Sequence, residues 1–573
     1  MTHDDRSRWD AAARLVRGVA HRSAALPLHV LGRVAGPGPL ALPKPAGLGP
    51  AEAAVLLEAG LADAFLRPDR AVQALLTLQR WGPTVAAGYL VAAAVDGSRP
   101  AVEDEDGAVT YAELVDRSRR LAGVLRDRGA GPGAPVALAA RNSRAYVEVL
   151  VAAALVGADV LMVNSGMAAA QAAGVVADRA ARLVVADPDL QPLFSDVPSE
   201  VLRLVTGAGP GGLDRLVDTA TPAGLEPPTS PGRAVVLTSG TTGAPRGAVR
   251  PTPKGLGPAA SFLSRIPLRA GEPTHVAAPL FHTWGYANLQ LATALRSTLV
   301  LRRRFDPEQA LAAVASSGAT AMVAVPVMLQ RLLQLPPEVR SRHDVSSLRV
   351  VAVSGSALPG PLALAFMDAF GDVVYNLYGS TEVSWAAIAT PQETRSAPGT
   401  VGRPPLGTRI LVLGEDGRPA ARGATGAVYV GNELLFDGYT SGPPKDAVDG
   451  CLATGDLGHV DARGLLFVDG RADDMVVSGG ENVFPDEVEA ALLARSEVRD
   501  AAVVGVPDER FGQALVAFVV PASPDVDATS LREALKTSVA RYAVPREVRL
   551  VDELPRNATG KVLARELREQ VTG

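Results

Sequence analysis

The sequence predicts an α/β protein with a large N-terminal domain, its buried sheets flanked by helices, and a small α+β C-terminal domain. Three observations carry that prediction. At 573 residues the chain is too long for one compact core, so two or more domains are expected. From about residue 96 to about 470, short apolar strands alternate with helical stretches, the pattern of sheets buried between helices. Past Gly470 the elements change scale and form a unit of about 100 residues. The expected division is 1–92, 93–470 and 471–573.

Residues 1–92 are helix-prone but broken by Gly36-Pro37-Gly38-Pro39 and Pro43-Lys44-Pro45, as in an extension wrapped on the main body. Its apolar residues Leu15, Val16, Val19, Leu26, Leu28, Val30 and Leu31 suit packing on the protein itself, and also a membrane-facing or partner-binding role. In the large domain, strands are expected at Val136–Ala140, Val160–Val163, Leu183–Ala186, Leu299–Arg302, Ala321–Val327 and Leu348–Val353, with a helix near Ala145–Leu155. In the small domain, Ser478-Gly479-Gly480 leads into a helix opened by Pro485, with Asp486 and Glu487 near its positive end. Strands Ala501–Val506 and Leu515–Val520 and a helix near Ser530–Ala540 follow.

Composition narrows the function. Hydrophobic residues at 47% and charged residues at 20% describe an ordinary soluble chain, and a net charge of −5 argues against a nucleic-acid partner. The single cysteine, Cys451, precludes an intramolecular disulfide, and seven scattered histidines show no metal-ligand spacing. The start MTHDDRSRWD is acidic and lacks a signal-peptide pattern. Apolar runs such as Val85–Val95 fall short of the roughly 20 residues that span a bilayer, so a cytoplasmic protein with at most peripheral membrane association is expected.

The most informative stretch is Leu237–Gly247, LTSGTTGAPRG. It packs three glycines and four hydroxyl residues behind the apolar run Ala234-Val235-Val236-Leu237. Glycines let a backbone approach a ligand closely, and consecutive N–H and O–H donors with one cation suit a polyphosphate. No Gly-Lys-Ser/Thr follows Gly240 at Walker A spacing. Taken alone, the stretch fits a phosphate cradle or a surface linker equally well.

Five further segments bear on the choice. Ser354-Gly355-Ser356-Ala357-Leu358-Pro359 ends a strand in a glycine. Tyr375-Asn376-Leu377-Tyr378-Gly379-Ser380-Thr381-Glu382 joins aromatic faces, able to stack on a purine, to a hydroxyl and a carboxylate able to hold Mg²⁺ beside phosphate oxygens. Ala453-Thr454-Gly455-Asp456-Leu457 is expected as a tight loop whose Asp accepts both ribose hydroxyls. Asp469-Gly470-Arg471-Ala472-Asp473-Asp474 lies at the domain junction, and Pro555-Arg556-Asn557-Ala558-Thr559-Gly560-Lys561 presents a lysine on a glycine turn. Each also has a bland reading: Tyr378 as core, Asp456 as a turn residue, Arg471 as half of an ion pair, Lys561 as a solvated charge.

Together and in this order, the segments closely resemble the adenylate-forming superfamily of acyl- and aryl-CoA synthetases, adenylation domains and luciferases, over roughly 96–573. Pro279-Leu280-Phe281-His282-Thr283-Trp284-Gly285 and Gly479-Gly480-Glu481-Asn482-Val483 are most similar to bacterial fatty-acyl-CoA synthetases. The resemblance implies an AMP-forming acid–thiol ligase that uses ATP, Mg²⁺ and CoA, and a small domain that is mobile. It implies that Thr238, Ser239, Gly240, Thr241, Thr242 and Gly243, with Arg246, hold the β,γ-phosphates. Gly355, Ser356, Ala357, Tyr378 and Gly379 would wall the adenine and acid pocket, and Asp456 and Arg471 would contact the ribose. Glu382 would hold Mg²⁺, Thr381 would sit near the α-phosphate, and His282 would line the entrance to the carboxylate site. Lys561 would bridge substrate carboxylate and α-phosphate, Asp473 would be the hinge, and Gly479 would line the thiol tunnel.

Two departures from the family pattern stand out. Arg246 replaces the usual lysine, keeping the charge while changing its geometry. Asn164-Ser165-Gly166-Met167-Ala168-Ala169 replaces a loop that usually bears proline or threonine. The leading expectation is ATP-dependent activation of a carboxylic acid, a fatty acid first, followed by transfer to CoA. The alternative is an ATP-dependent diazotase that activates nitrite and passes it to an aryl amine. A catalytically silent binding paralogue is disfavoured because Glu382, Asp456, Arg471 and Lys561 are all present.

Overall fold

A computed structural model describes residues 49–61, 68–224, 226–238, 246–249, 255–380, 382–436, 438–439, 446–472, 476–478, 481–483, 485–508, 512–536, 538–539, 543–557 and 560–572. Two sheets and the helices between them form the body of the large domain. One sheet has seven strands in the order Gly438–Tyr439, Arg246–Val249, Ala234–Thr238, Val160–Met162, Val136–Ala139, Leu183–Ala186 and Leu202–Val205. The last five are mutually parallel, and the first two close the edge as antiparallel strands. The other has eight, in the order Ala387–Ala389, Val374–Tyr378, Val350–Val353, Ala321–Ala324, Thr274–Val276, Leu299–Val300, Pro100–Asp104 and Gly107–Thr110.

The helix Arg144–Val156 lies between these sheets, and every residue from Ala145 to Val156 is buried. A helix with no solvent face needs no polar side, which explains its AYVEVLVAAALV sequence apart from Glu148, whose buried carboxylate is paired with Arg117 at 2.6 Å. Alternation along the strands sorts residues between two cores. Val136 and Leu138 join the core between the sheets, while Ala137 and Ala139 face the helix Ala169–Asp178 on the far side.

A third sheet is antiparallel, running Arg409–Leu413, Gly426–Gly431, Cys451–Val460 and Ala447–Val448, with Leu466–Arg471 also paired to Cys451–Val460. The small domain is built on Val498–Asp508 and Gly512–Pro521. Helices Pro485–Leu493 and Ala528–Leu535 cover one face, and Ala564–Thr572 covers the other.

Several expected elements are shorter than their apolar runs. The strand expected over Ala321–Val327 ends at Ala324, because Pro326 opens a helix, Pro326–Leu333. The helix expected near Ser530–Ala540 is Ala528–Leu535. The expected boundary at 92/93 falls inside the helix Val85–Asp96, whose Ala86, Tyr89 and Leu90 belong to the main core. Residues 1–48, with the apolar positions noted there, lie outside the described residues. Among the described residues, no helix is long and apolar enough to cross a membrane.

Candidate active site

Neighbouring parallel strands bring the candidate segments together at their carboxyl ends, where open α/β sheets bind ligands. Val350–Val353 pairs in parallel with Val374–Tyr378, Val353 opposite Asn376, so Gly355–Ala357 and Tyr378–Gly379 emerge side by side. Gly355 adopts φ +99°, and Gly355 and Ala357 are exposed. A Cβ on Gly379 would lie 2.1 Å from the Ser384 carbonyl oxygen and 2.9 Å from Trp385 Cα, so this turn admits no side chain.

Asp456 corrects the expectation of a loop. It lies within the strand Cys451–Val460, after Gly455 at φ +88°, directly opposite Arg471 in the adjacent strand. Tyr378 donates its phenolic hydrogen to Asp456 Oδ2 at 2.5 Å, and Arg471 Nη1 lies 3.6 Å from Asp456 Oδ1. The Asp456 amide donates to Thr454 Oγ1 at 3.0 Å. Burial, with Asp456 beside it, pushes the Tyr378 phenol well above its ordinary pKa, so it remains a donor. Three candidates thus form one wall, joined by a hydrogen bond and an ion pair. The ion pair proposed as the bland reading of Arg471 is real, and it sits within that wall.

Glu382 is anchored through its backbone, whose amide donates to Ser380 Oγ at 3.3 Å and whose carbonyl accepts from Phe436 N at 2.8 Å. Thr238 and Arg246 stand opposite each other where the antiparallel strands Ala234–Thr238 and Arg246–Val249 pair. Ser239, Gly240, Thr241, Thr242, Gly243, Thr381, Asp473 and Gly479 lie outside the described residues.

His282 precedes the helix Thr283–Ala294 as its N-cap. Burial holds its imidazole pKa down to about 4, and its buried Nε2 has no partner among the described residues. The ring is therefore neutral near pH 7, with a nitrogen available to a ligand. Gly285 lets the helix approach closely, since a Cβ there would lie 2.2 Å from Pro279 O. Asn142 fixes the segment from the other sheet: its Nδ2 donates to Val276 O and Ala278 O, and its Oδ1 accepts from Leu280 N. Sequence reasoning missed Asn142, although its place just before the Ser143 N-cap of a buried helix was a usable signal. It also missed an aromatic cluster in which Phe262 lies 6.1 Å from both Trp284 and Trp385, two of the four tryptophans.

The small domain approaches this wall through the lysine turn. Gly560, at φ +80°, packs so closely that a Cβ would lie 2.4 Å from Val327 Cγ1 and 3.8 Å from Val325 Cγ2. Val325 also touches Gly355, at 3.3 Å by the same measure, so one valine separates Gly355 from the residue preceding Lys561. A second contact crosses nearby, from Gln330 Nε2 to Arg499 O at 2.7 Å. Among the described residues no cluster of three or more His, Cys, Asp or Glu could hold a metal. A single carboxylate at Glu382 instead suits Mg²⁺ that arrives on phosphate oxygens.

This fold and wall define an adenylate-forming enzyme with a large domain and a small C-terminal domain. Comparison with known proteins agrees: the AMP-binding enzyme family matches residues 91–440, and its C-terminal domain matches residues 487–561. The chain belongs to the AMP-binding enzyme family. It is 33% identical over 477 residues to a feruloyl-CoA synthase from Amycolatopsis sp, covering 82% of this chain and 95% of that protein. It is 28% identical over 473 residues to a long-chain-fatty-acid–CoA ligase from Mycobacterium tuberculosis, covering 81% and 93%. In structure it is similar to an amide bond synthetase from Marinactinospora thermotolerans, with a TM-score of 0.74, 28% identity, and coverage of 85% of this chain and 99% of that one.

Proposed function

We propose that the protein activates a carboxylic acid with ATP and passes the acyl group to CoA. The observation that carries this reading is the approach of the Lys561 turn, across Val325, to the wall of Gly355, Tyr378, Asp456 and Arg471. In the first half-reaction a carboxylate oxygen attacks the α-phosphorus of ATP, the bond to the bridging oxygen breaks, and pyrophosphate leaves with the electron pair. In the second, the CoA sulfur attacks the acyl carbonyl, AMP departs, and the thiol proton is released to solvent.

A carboxylate is a weak nucleophile facing an anionic phosphorus, so positioning and charge neutralisation supply most of the catalysis. Lys561 bridges the carboxylate and the α-phosphate, Asp456 and Arg471 fix the ribose, and Thr238 to Gly243 with Arg246 hold the departing phosphates. Mg²⁺ held by Glu382, beside Thr381, would neutralise phosphate charge. The neutral His282 lines the acid entrance. Rotation about Asp473 then exchanges the Lys561 face for one that admits the thiol past Gly479. An ATP- and CoA-consuming ligase of this kind would work in the cytoplasm.

For the acid, we place aryl acids ahead of long-chain fatty acids. Supporting this order, the feruloyl-CoA synthase is 33% identical and the long-chain-fatty-acid ligase 28%. A second reading, supported by the likeness to an amide bond synthetase, passes the activated group to an amine. Activation of nitrite for transfer to an aryl amine is one form of it. The test is ATP-dependent pyrophosphate release over aryl acids, fatty acids, and nitrite with an aryl amine, each with and without CoA. CoA-dependent turnover of an acid supports the first reading, and turnover that needs an amine and ignores CoA replaces it with the second. Release on no substrate would overturn both.

A further inference from the structure

The lysine turn is held by side chains that the adenylation chemistry does not use. Arg556 directs Nη2 at both carboxylate oxygens of Asp500, at 2.9 and 2.7 Å, and donates from Nη1 to the Gly560 carbonyl at 2.5 Å. That carbonyl belongs to the residue immediately before Lys561. The other end of the turn is closed locally: Asn557 Oδ1 accepts from Lys561 N at 2.9 Å, Asn557 N donates to Lys561 O at 2.9 Å, and Gly560 N donates to Asn557 O at 2.8 Å.

Asp500 sits at an irregularity near the start of the strand Val498–Asp508, where its Oδ1 also accepts from Ala501 N at 3.0 Å. The preceding residue, Arg499, supplies the carbonyl that receives Gln330 from the large domain. A single strand end therefore anchors the guanidinium and touches the large domain. Arg556 transmits that anchorage to Gly560, which itself packs on Val327.

We propose that Asp500 and Arg556 are positioning residues for adenylation, setting the lysine turn against the large domain. The proposal rests on the reading of Lys561 given above. A rigid guanidinium whose two Nη atoms reach separate acceptors is suited to this task, since an ammonium could hold Asp500 or the Gly560 carbonyl but would not fix the angle between them. Small misplacements of a catalytic charge cost about 10²-fold in rate. Because Lys561 leaves the site in the second half-reaction, the anchorage should matter in the first half-reaction and not in the second.

The test uses the full-length enzyme, the acid selected by the panel above, and its synthetic adenylate. Arg556→Ala is expected to lower the rate of adenylate formation by roughly 10- to 100-fold with little change in the KM for ATP. Thioester formation from supplied adenylate and CoA should stay within about twofold. Arg556→Lys should fail to restore the rate, and Asp500→Asn combined with Arg556→Ala should be no worse than Arg556→Ala alone. Amide hydrogen exchange at residues 560–563 should accelerate in Arg556→Ala while the strand Gly512–Pro521 keeps its protection.

Equal losses in both half-reactions, or a loss that follows a fall in Tm, would overturn the proposal in favour of a purely structural ion pair. Unchanged exchange at the turn would overturn it as well. Lys561→Ala separates the two levels of the argument. If it impairs adenylation and Arg556→Ala does not, positioning alone is wrong. If Lys561→Ala leaves adenylation intact, the role of the lysine falls and the proposal falls with it.

Discussion

Tyr378 and Asp456 meet at 2.5 Å although they come from different sheets, one at the end of Val374–Tyr378 and the other within Cys451–Val460. Their hydrogen bond joins the eight-stranded sheet to the antiparallel sheet, and Arg471 completes the join from the next strand. Asp456→Ala should raise the KM for ATP by about 10²-fold, because it removes the two proposed ribose acceptors and leaves Arg471 without this carboxylate. Tyr378→Phe should raise it by about tenfold, the cost of one hydrogen bond to a charged group. Steady-state kinetics with varied ATP check both. An unchanged KM in Asp456→Ala would remove the ribose assignment.

Gly379 precedes the segment that carries Glu382, and its missing side chain leaves room for the Ser384 carbonyl. Gly379→Ala would force that carbonyl away and shift Glu382 relative to the pocket wall. The expected result is a loss of at least about 10²-fold in adenylate formation together with a lowered Tm, because the atoms that must give way are backbone. A fully active Gly379→Ala enzyme would show that this close approach has no catalytic consequence.

Motifs announced by local chemistry were legible in the sequence. Gly560 supplies the positive φ that the lysine turn needs, and Gly355, at φ +99°, follows the end of the strand Val350–Val353 as its glycine suggests. Asp456 was misjudged because Gly455 suggested a tight turn, whereas pairing with Leu466–Arg471 keeps the chain extended through it. That pairing is a long-range contact, invisible to local propensity. Asn142 and Arg556 went unassigned for a related reason: each acts through partners far along the chain, Asn142 on the 276–280 segment and Arg556 on Asp500. The strand expected to continue through Val327 failed on a local rule, since Pro326 is better suited to starting a helix than to extending a buried strand.

Two buried histidines set an acid limit on stability. Burial brings both His275 and His282 down from 6.5 to about 4, although the Nδ1 contact of His275 with Val300 O, at 2.9 Å, opposes the shift. Each is neutral in the folded protein, so the unfolded chain takes up protons first as pH falls. Their contribution is complete above about pH 6.5 and is lost between 6.5 and 4, at up to about 3 kcal/mol for the fully buried His275. Thermal melts should show a decline over that window which His275→Gln reduces. A pH dependence of Tm in His275→Gln identical to that of the native protein from pH 7 to 4 would contradict it. Over pH 6.5–9 the adenylation rate should show no step from His282, because its ring is already neutral there.

Glu489 gives the opposite sign. Its Oε1 accepts the Val503 amide at 2.7 Å, and although the residue keeps some exposure, burial of the carboxyl with Asp486 beside it pushes its pKa up to about 8. Arg556 opposes that rise and the nearby Asp500 adds to it, so the same ion pair that holds the lysine turn lies within electrostatic reach of Glu489. The folded state favours the protonated carboxyl, whereas the unfolded chain ionises near 4.5. The stabilising contribution is therefore intact below about pH 4.5 and is lost progressively as pH rises towards 8. Glu489→Gln keeps an oxygen for the Val503 amide and removes the titration. It should match the native protein near pH 4.5 and exceed its Tm by about 3 °C or more at pH 8. Because the domain is small and its own core is separate from that of the large domain, the gain should appear in the melting of the C-terminal unit. A constant difference in Tm between pH 4.5 and 8 would mean that Glu489 is ionised throughout, and that Arg556 outweighs burial at this carboxyl.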